Sequence, residues 1–451
     1  MMNNENEVRK EIEEGVVEII ETTPTETIKI PEFKDCCDNN KNSTCNNKNG
    51  CKCNSNKRKQ TDPTFIRSGY FILTENCNLR CSYCFEGGTR NTTKYMSKET
   101  AFKGIDFLFD RENKYKEKIN ITFFGGEPML CPDLMIEMLH YGYKKSRETG
   151  IGVSFSIITN GTIWNEGVER FLDTWLRYTR DIDIQLSYDG VPEIQDGNRP
   201  CACTGIKSSD MTKNAVKHYI EYYKKYGLSL GKLHTHCCIA KNSIPYIADS
   251  YKYFREELGI INNNFAWVID SPWDENDLVI FDQQLSLLND YMLTHGINKY
   301  PFKHFDNVSG CSSGRKLVAF DCDGNIFPCH RFFFYKLENR EKFIYGNLYD
   351  EVQISNEKMR NEFLAIDNKK TECTGPCQIC VAENYDSTGS FYKLPNPGYD
   401  EKFMEIINFY NKQFEELSML LQHRDYIAKV AKLIKESDEI NNSENNDKGS
   451  E

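Results

Sequence analysis

Between about residues 65 and 270 the sequence alternates short β-rich runs with segments of helical length, and this serial alternation most restricts the fold. The runs are Tyr70 to Thr74, Ile119 to Phe124, Val153 to Ile158, Ile182 to Ser187, Leu233 to Ile239 and Phe265 to Ile269. Between them lie Lys98 to Phe109, Leu134 to Arg147, Val168 to Arg177, Met211 to Tyr226 and Ile244 to Leu258, each with apolar residues at helical spacing. Six strands separated in series by helices call for parallel rather than antiparallel pairing. The expected fold class is therefore α/β, a partial (β/α)6 barrel of TIM type. Polar or glycine-rich punctuation follows the first four runs: Cys77 to Cys84, then Gly125-Gly126-Glu127-Pro128, Thr159-Asn160-Gly161 and Ser187-Tyr188-Asp189-Gly190. Turn chemistry alone explains any one of these. All four, however, fall at strand C-terminal ends, the face on which the loops of a parallel barrel build an active site.

Composition bounds the chemistry. The chain has 451 residues and a net charge of -11, and phosphate backbones need a surplus of Lys and Arg on one face, so nucleic acid is not an expected partner. The short Lys57-Arg58-Lys59 cluster reads as solvated linker. No apolar run of about 18 residues and no signal peptide is found, so no membrane association is expected and the location reads as cytoplasmic. Nineteen cysteines without an export signal point to metal ligands or redox chemistry rather than to disulfides.

The expected organisation has a flexible Cys-containing segment over 1–65, the barrel over 66–305 and a small Cys-rich auxiliary domain over 306–400. A C-terminal helical segment over 401–436 and a disordered tail over 437–451 follow. The first segment carries Cys36, Cys37, Cys45, Cys51 and Cys53, which read as incidental thiols, a small zinc or iron-sulfur site, or a fused substrate. In the auxiliary region Asp323-Gly324-Asn325 separates two apolar runs, Leu317 to Phe320 and Ile326 to Phe327, and reads as a hairpin turn bringing Cys329 near Cys311. Beyond Asp400, Phe403, Ile406, Ile407, Tyr410, Phe414, Leu417 and Leu420 mark one helix face. Cys131, Cys201, Cys203, Cys237 and Cys238 read as packing residues.

Cys77, Cys81 and Cys84 form a C-x3-C-x2-C array. Three thiolates this close can hold three corners of a [4Fe-4S] cube and leave its fourth iron open to a small molecule. A zinc site borrowing a fourth ligand and an ordinary electron-transfer cluster are the competing readings of the spacing.

CNLRCSYC, with Tyr83 before the third Cys, resembles the signature of radical S-adenosylmethionine enzymes, and Gly125 to Pro128 resembles that family's GGEP motif. The resemblance covers about Tyr70 to Pro397. It implies that S-adenosylmethionine chelates the open iron and is cleaved by one electron to a 5'-deoxyadenosyl radical that abstracts a substrate hydrogen. It further implies cofactor contacts at Tyr83, Gly125, Gly126, Glu127, Asn160, Ser187 and Arg199; an Arg suits a carboxylate because its fork donates two parallel hydrogen bonds. Glu127 could instead serve as a structural acid of its loop.

The segment from Cys311 through Gly324 to Cys329 is similar to the opening of the SPASM or twitch extension, which holds auxiliary clusters in enzymes modifying peptides and proteins. The full pattern is not met, since no Cys follows Cys380. One auxiliary iron-sulfur cluster on Cys311, Cys329, Cys373, Cys377 and Cys380 is expected, with Cys322 undecided and a second, incompletely ligated cluster as the alternative. Anaerobic sulfatase-maturating enzymes, which the chain also resembles, carry an acidic base after the Cys equivalent to Cys329. His330 stands there instead and is the candidate catalytic base. The implied function is modification of a peptide or protein side chain, such as thioether cross-linking, with an electron donor such as a flavodoxin or ferredoxin. The alternatives are a sulfatase-maturase-like dehydrogenase and, outside the enzymes, an iron-sulfur binding protein without catalysis.

Overall fold

The computed structural model describes residues 65–84, 94–110, 113, 116–268, 273–297, 299–302, 312–334, 340–366, 380–391, 393, 402–420 and 422. The Cys36 to Cys53 tract and the C-terminal tail lie outside the described residues, as do Cys311, Cys373 and Cys377.

Six strands follow the expected series: β1 (Ser68–Ile72), β2 (Ile119–Phe124), β3 (Val153–Thr159), β4 (Ile184–Ser187), β5 (Leu233–Ile239) and β6 (Asn262–Trp267). The helices between them are α1 (Lys98–Phe109), α2 (Pro132–Thr149), α3 (Glu166–Tyr178), α4 (Pro192–Asn198), α5 (Ser208–Lys225) and α6 (Ile247–Glu256), and α7 (Glu275–Thr294) follows β6. Local signals fix several helix starts. Ser97 caps α1 by accepting from Thr100 N–H, Asn165 caps α3 at Val168, and Asp274 with Asp277 makes a capping box on α7. The expected helix from Ile244 instead opens as a 3-10 turn, Lys241–Tyr246, because Pro245 cannot donate to an α-helical ladder.

All of β1 to β6 pair in parallel and in sequence order. The sheet continues past β1 rather than closing: β7 (Leu317–Phe320) pairs with β1 in parallel, with Phe71 opposite Phe320. Then β8 (Asn325–Phe327) and β9 (Gly346–Asn347) add antiparallel. The hairpin expected at Asp323-Gly324-Asn325 is thus present, with Gly324 at a φ of 82°. It is an extension of the barrel's own sheet.

The two faces of the sheet differ chemically. On one, Phe71, Phe123 and Phe155 pack against Gly104 of α1, Phe171 and Trp175 of α3, and Gly142 of α2. Each such aromatic buries a large apolar area, and this layer packs the helices onto the strands. On the other face, small polar side chains stay half-exposed and bond sideways: Thr122 to Ser156 at 3.0 Å and Ser154 to Asn120 at 2.7 Å.

The extension carries α8 (His330–Phe333), α9 (Glu357–Ala365) and α10 (Val381–Thr388), joined by contacts among Phe332, Phe343, Phe363, Tyr385 and Phe391. A helix over residues 402–420, α11, lies against α7, with Phe403 meeting Trp273 and Phe281 at ring centroids 5.1 and 4.8 Å apart. Its buried stripe is narrower than expected. Phe403, Ile407, Tyr410 and Phe414 are buried, but Leu417 and Leu420 are 38% and 64% exposed.

Candidate active site

Cys77, Cys81 and Cys84 follow β1 in a half-buried loop, and the segments after β2, β3 and β4 meet it. From β2, Gly126 N–H donates to Thr74 O and Glu127 N–H to Asn76 O, both at 2.8 Å. Only glycine allows this approach. A Cβ at Gly125, whose φ is 128°, would lie 2.4 Å from Thr74 O, and one at Gly126 would lie 2.1 Å from Asn76 O.

The Glu127 side chain is engaged by neighbouring loops. Fully buried, its carboxylate accepts from Met129 N–H at 2.9 Å, Thr159 hydroxyl at 2.6 Å and Asn160 N–H at 2.7 Å, so it straps the loop after β2 to the loop after β3. Burial pushes its pKa up to about 7 against the opposing pull of those three donors. These contacts suit a structural acid of its loop.

Asn160 completes the strap. Its Nδ2 donates to Asn78 Oδ1 at 2.7 Å and lies 3.7 Å from Cys77 Sγ, while its Oδ1 accepts from Thr162. From the β4 side, Ser187 ends the strand half-exposed, and Arg199, 7% exposed, follows α4. Arg199 Nε is 2.9 Å from Asp189 Oδ1, its Nη1 is 3.9 Å from Cys81 Sγ, and its guanidinium lies over the Tyr83 ring at 5.4 Å. Tyr83 donates its hydroxyl to Asp189 as well.

Three sulfur-directed donors therefore surround the loop, since Leu79 N–H also reaches Cys77 Sγ at 3.4 Å. Donors of this kind stabilise thiolates, the form in which cysteine binds iron. Among the described residues no three His, Cys, Asp or Glu side chains gather round a single point as one metal ion would need. Three thiols in one loop, each able to bind a separate iron, suit by their chemistry a cube that takes one thiolate at each of three irons. These thiols contrast with Cys322, whose Sγ donates to Ile72 O at 3.4 Å and whose pKa burial pushes up, as in a packing residue.

Sequence reasoning missed Asp189. It is 1% exposed and joins Tyr83, Arg199 and the Cys238 N–H, the last at 3.1 Å. The available signal was a buried arginine in need of a counter-charge, visible only once Arg199 is known to be buried.

Of the expected auxiliary ligands, Cys329 is buried at the start of α8 and Cys380 is half-buried at the start of α10. Both lie within electrostatic reach of Arg331, whose Nη1 is 3.5 Å from Glu383 Oε2. His330 is half-buried, with its ring stacked on Tyr70 at 4.6 Å and tilted against Phe124 at 4.7 Å. Burial and the neighbouring Arg331 push its pKa down to about 3, so it stays neutral and is a weak base. Cys131 and Cys237 are buried as expected, whereas Cys203 is exposed just beyond the bridge of Cys201 to Leu79.

Residues 71–239 match the family model of the Radical SAM superfamily. The cysteine-type anaerobic sulfatase-maturating enzyme of Clostridium perfringens (strain ATCC 13124) is 25% identical over 356 residues, covering 70% of this chain and 89% of that protein. The antilisterial bacteriocin subtilosin biosynthesis protein AlbA of Bacillus subtilis is 29% identical over 130 residues, 28% of this chain and 26% of that protein. Among solved structures, native anSMEcpe with bound AdoMet and Cp18Cys peptide superposes with a TM-score of 0.57 at 22% identity, covering 76% of this chain and 99% of that one. At that identity the likeness speaks for the fold, an open (β/α)6 barrel. Residues 71–239, with their three-thiol loop and GGEP turn, thus match the Radical SAM superfamily as a domain.

Proposed function

We propose that this radical SAM enzyme modifies a side chain of a peptide or protein, forming a thioether or another cross-link. The observation that carries the reading is the convergence on Cys77, Cys81 and Cys84 of loops from β2, β3 and β4, through Gly126, Asn160 and Arg199. When bound, a reduced [4Fe-4S] cluster supplies the electron that cleaves S-adenosylmethionine to a 5'-deoxyadenosyl radical. The chain's own residues do the rest. Gly125 and Gly126 bring backbone close to the cluster loop, Glu127 and Asn160 hold the loops in register, and the helix-backed sheet screens the site from water on one side.

The choice of a peptide or protein rests on two supports. The half-exposed row of Asn120, Thr122, Ser154 and Ser156 suits a substrate that carries amide groups along its length, and the relatives named above act in sulfatase maturation and bacteriocin biosynthesis. Beyond the barrel of residues 66–305, a unit over 306–400 holds one auxiliary cluster through Cys311, Cys329, Cys373, Cys377 and Cys380. The common neighbour Arg331 supports the joint use of Cys329 and Cys380. A flavodoxin or ferredoxin supplies electrons, and the enzyme works in the cytoplasm; among the described residues no helix is long and apolar enough to cross a membrane. The sulfatase-maturase reading is the less favoured, since His330, in place of an acid, is packed between two aromatic rings.

The test is anaerobic reconstitution followed by iron analysis and incubation with dithionite and S-adenosylmethionine. About eight irons per chain and release of 5'-deoxyadenosine are expected. No release from cluster-loaded protein refutes the enzyme reading, and about four irons refutes the auxiliary cluster. Mass spectrometry of small peptides encoded beside the gene, incubated with the loaded enzyme, then looks for loss of hydrogens. Modification of a sulfatase peptide alone would overturn the cross-linking assignment.

A further inference from the structure

Asp189 concentrates more buried polar contacts around the cluster loop than any role so far assigned to it needs. Its Oδ2 accepts from Tyr83 and its Oδ1 faces Arg199 Nε at 2.9 Å and accepts from Cys238 N–H at 3.1 Å. Its own N–H donates to Gln195 Oε1 at 2.9 Å, which ties it to α4. Arg199 is almost as deeply buried, and an isolated guanidinium there would be expelled for want of a counter-charge. Asp189 supplies that charge on one side, leaving Nη1 directed at Cys81 Sγ on the other, 3.9 Å away. The backbone reinforces this. Arg80 N–H donates to Pro200 O and Ser82 N–H to Asn198 O, both at 2.8 Å, and Ala202 N–H to Asn78 O at 2.9 Å. The cluster loop and the segment bearing Arg199 are thus zipped together on both sides of Cys81.

We propose that Asp189 is a positioning residue that holds Arg199 against the Cys81 sulfur, and that this fixed cation raises the reduction potential of the cluster. The inference rests on the reading that Cys77, Cys81 and Cys84 hold an iron-sulfur cluster. Reduction adds one electron from an external donor and breaks no bond, so the reduced cluster carries one more negative charge. A cation fixed at a ligating sulfur favours that state, and hydrogen bonds and net charge at the sulfurs are the levers by which proteins set such potentials. A carboxylate clamp for S-adenosylmethionine, the role implied for Arg199 by family resemblance, makes a different prediction. It acts only when the cofactor is present.

The experiment uses the full chain, reconstituted anaerobically and titrated with dithionite without S-adenosylmethionine, the reduced cluster being followed by electron paramagnetic resonance. In R199Q the reduction equilibrium is expected to become about tenfold less favourable, a fall of about 59 mV for one electron. D189A separates positioning from plain charge. Loss of the carboxylate charge alone would raise the potential, whereas release of Arg199 from Cys81 lowers it toward that of R199Q. Iron content and circular dichroism accompany each titration, and R199K, which keeps the charge but loses the fork, substitutes for any variant that fails to hold iron and should also titrate below wild type. An unchanged potential in iron-replete R199Q, or weakened S-adenosylmethionine binding as its only defect, overturns the inference. So does a raised potential in D189A. A wild-type protein that takes up no iron refutes the cluster reading itself.

Discussion

The strap made by Glu127 allows a sharp test, because its energetics run in opposite directions at low and high pH. In E127Q the amide oxygen keeps the bonds to Met129 and Thr159, but the amide nitrogen then faces the Asn160 N–H, donor against donor, in a fully buried site. Leaving one buried donor unsatisfied costs about 1–3 kcal/mol. The wild-type carboxyl has a folded pKa of about 7 against an ordinary value of 4.5. A raised folded pKa means stability that is fully present below the unfolded value and lost as pH rises through the folded one. At roughly 1.4 kcal/mol per unit, the wild type gives up about 3 kcal/mol between pH 4.5 and 7 that E127Q does not. E127Q should therefore be the less stable protein near pH 5 and approach or pass the wild type by pH 8. Urea unfolding of the two apoproteins at matched pH values measures this. A gap that widens with pH would show that the three donors outweigh burial and that the carboxylate is the preferred form, refuting the argument.

C77A and C81A should lose iron and 5'-deoxyadenosine formation down to background, measured on anaerobically reconstituted protein. G126A drives a methyl group into Asn76 O, 2.1 Å away, and should cost roughly 1–3 kcal/mol in a thermal melt along with much of the cluster. F320A, at a fully buried site touching Phe71 and Phe107 across the β1–β7 seam, should cost about 3–5 kcal/mol in urea unfolding. By contrast D323A should change stability by less than about 1 kcal/mol, since Lys94 and Asp323 are 45% and 55% exposed despite a 2.6 Å contact.

Much of the barrel was legible because its signals are local. Runs such as Ile119 to Phe124 and Leu233 to Ile239 alternate or concentrate apolar residues, and the helices between them carry caps, so the structure reproduces these strands residue for residue. The strand at Asn262 begins earlier than expected because Asn262-Asn263-Asn264 shows no apolar alternation; a buried polar pair, Thr235 donating to Asn263 at 2.8 Å, replaces it. Helix α7 has no counterpart among the expected segments, although Leu278, Phe281, Leu285, Leu288 and Met292 bury one stripe. The pairing of β1 with β7 is a long-range choice between short apolar runs, which no local pattern encodes. At the site, motif spacing identified the thiols and glycines, but where Glu127 turns its carboxylate and what Arg199 needs beside it depend on burial.

The pairing of β1 with β7 also bears on how the molecule is made. The strand that leads into the thiol loop is translated early, yet one of its two hydrogen-bonding edges is satisfied only when Leu317 to Phe320 emerge, about 250 residues later. At roughly 5–20 residues per second, a ribosome leaves that edge open for about 10–50 s. During this interval the thiols precede Asn160 and Arg199, the side chains that later approach their sulfurs. The nascent protein would be most open to edge-to-edge aggregation before its last strands are added.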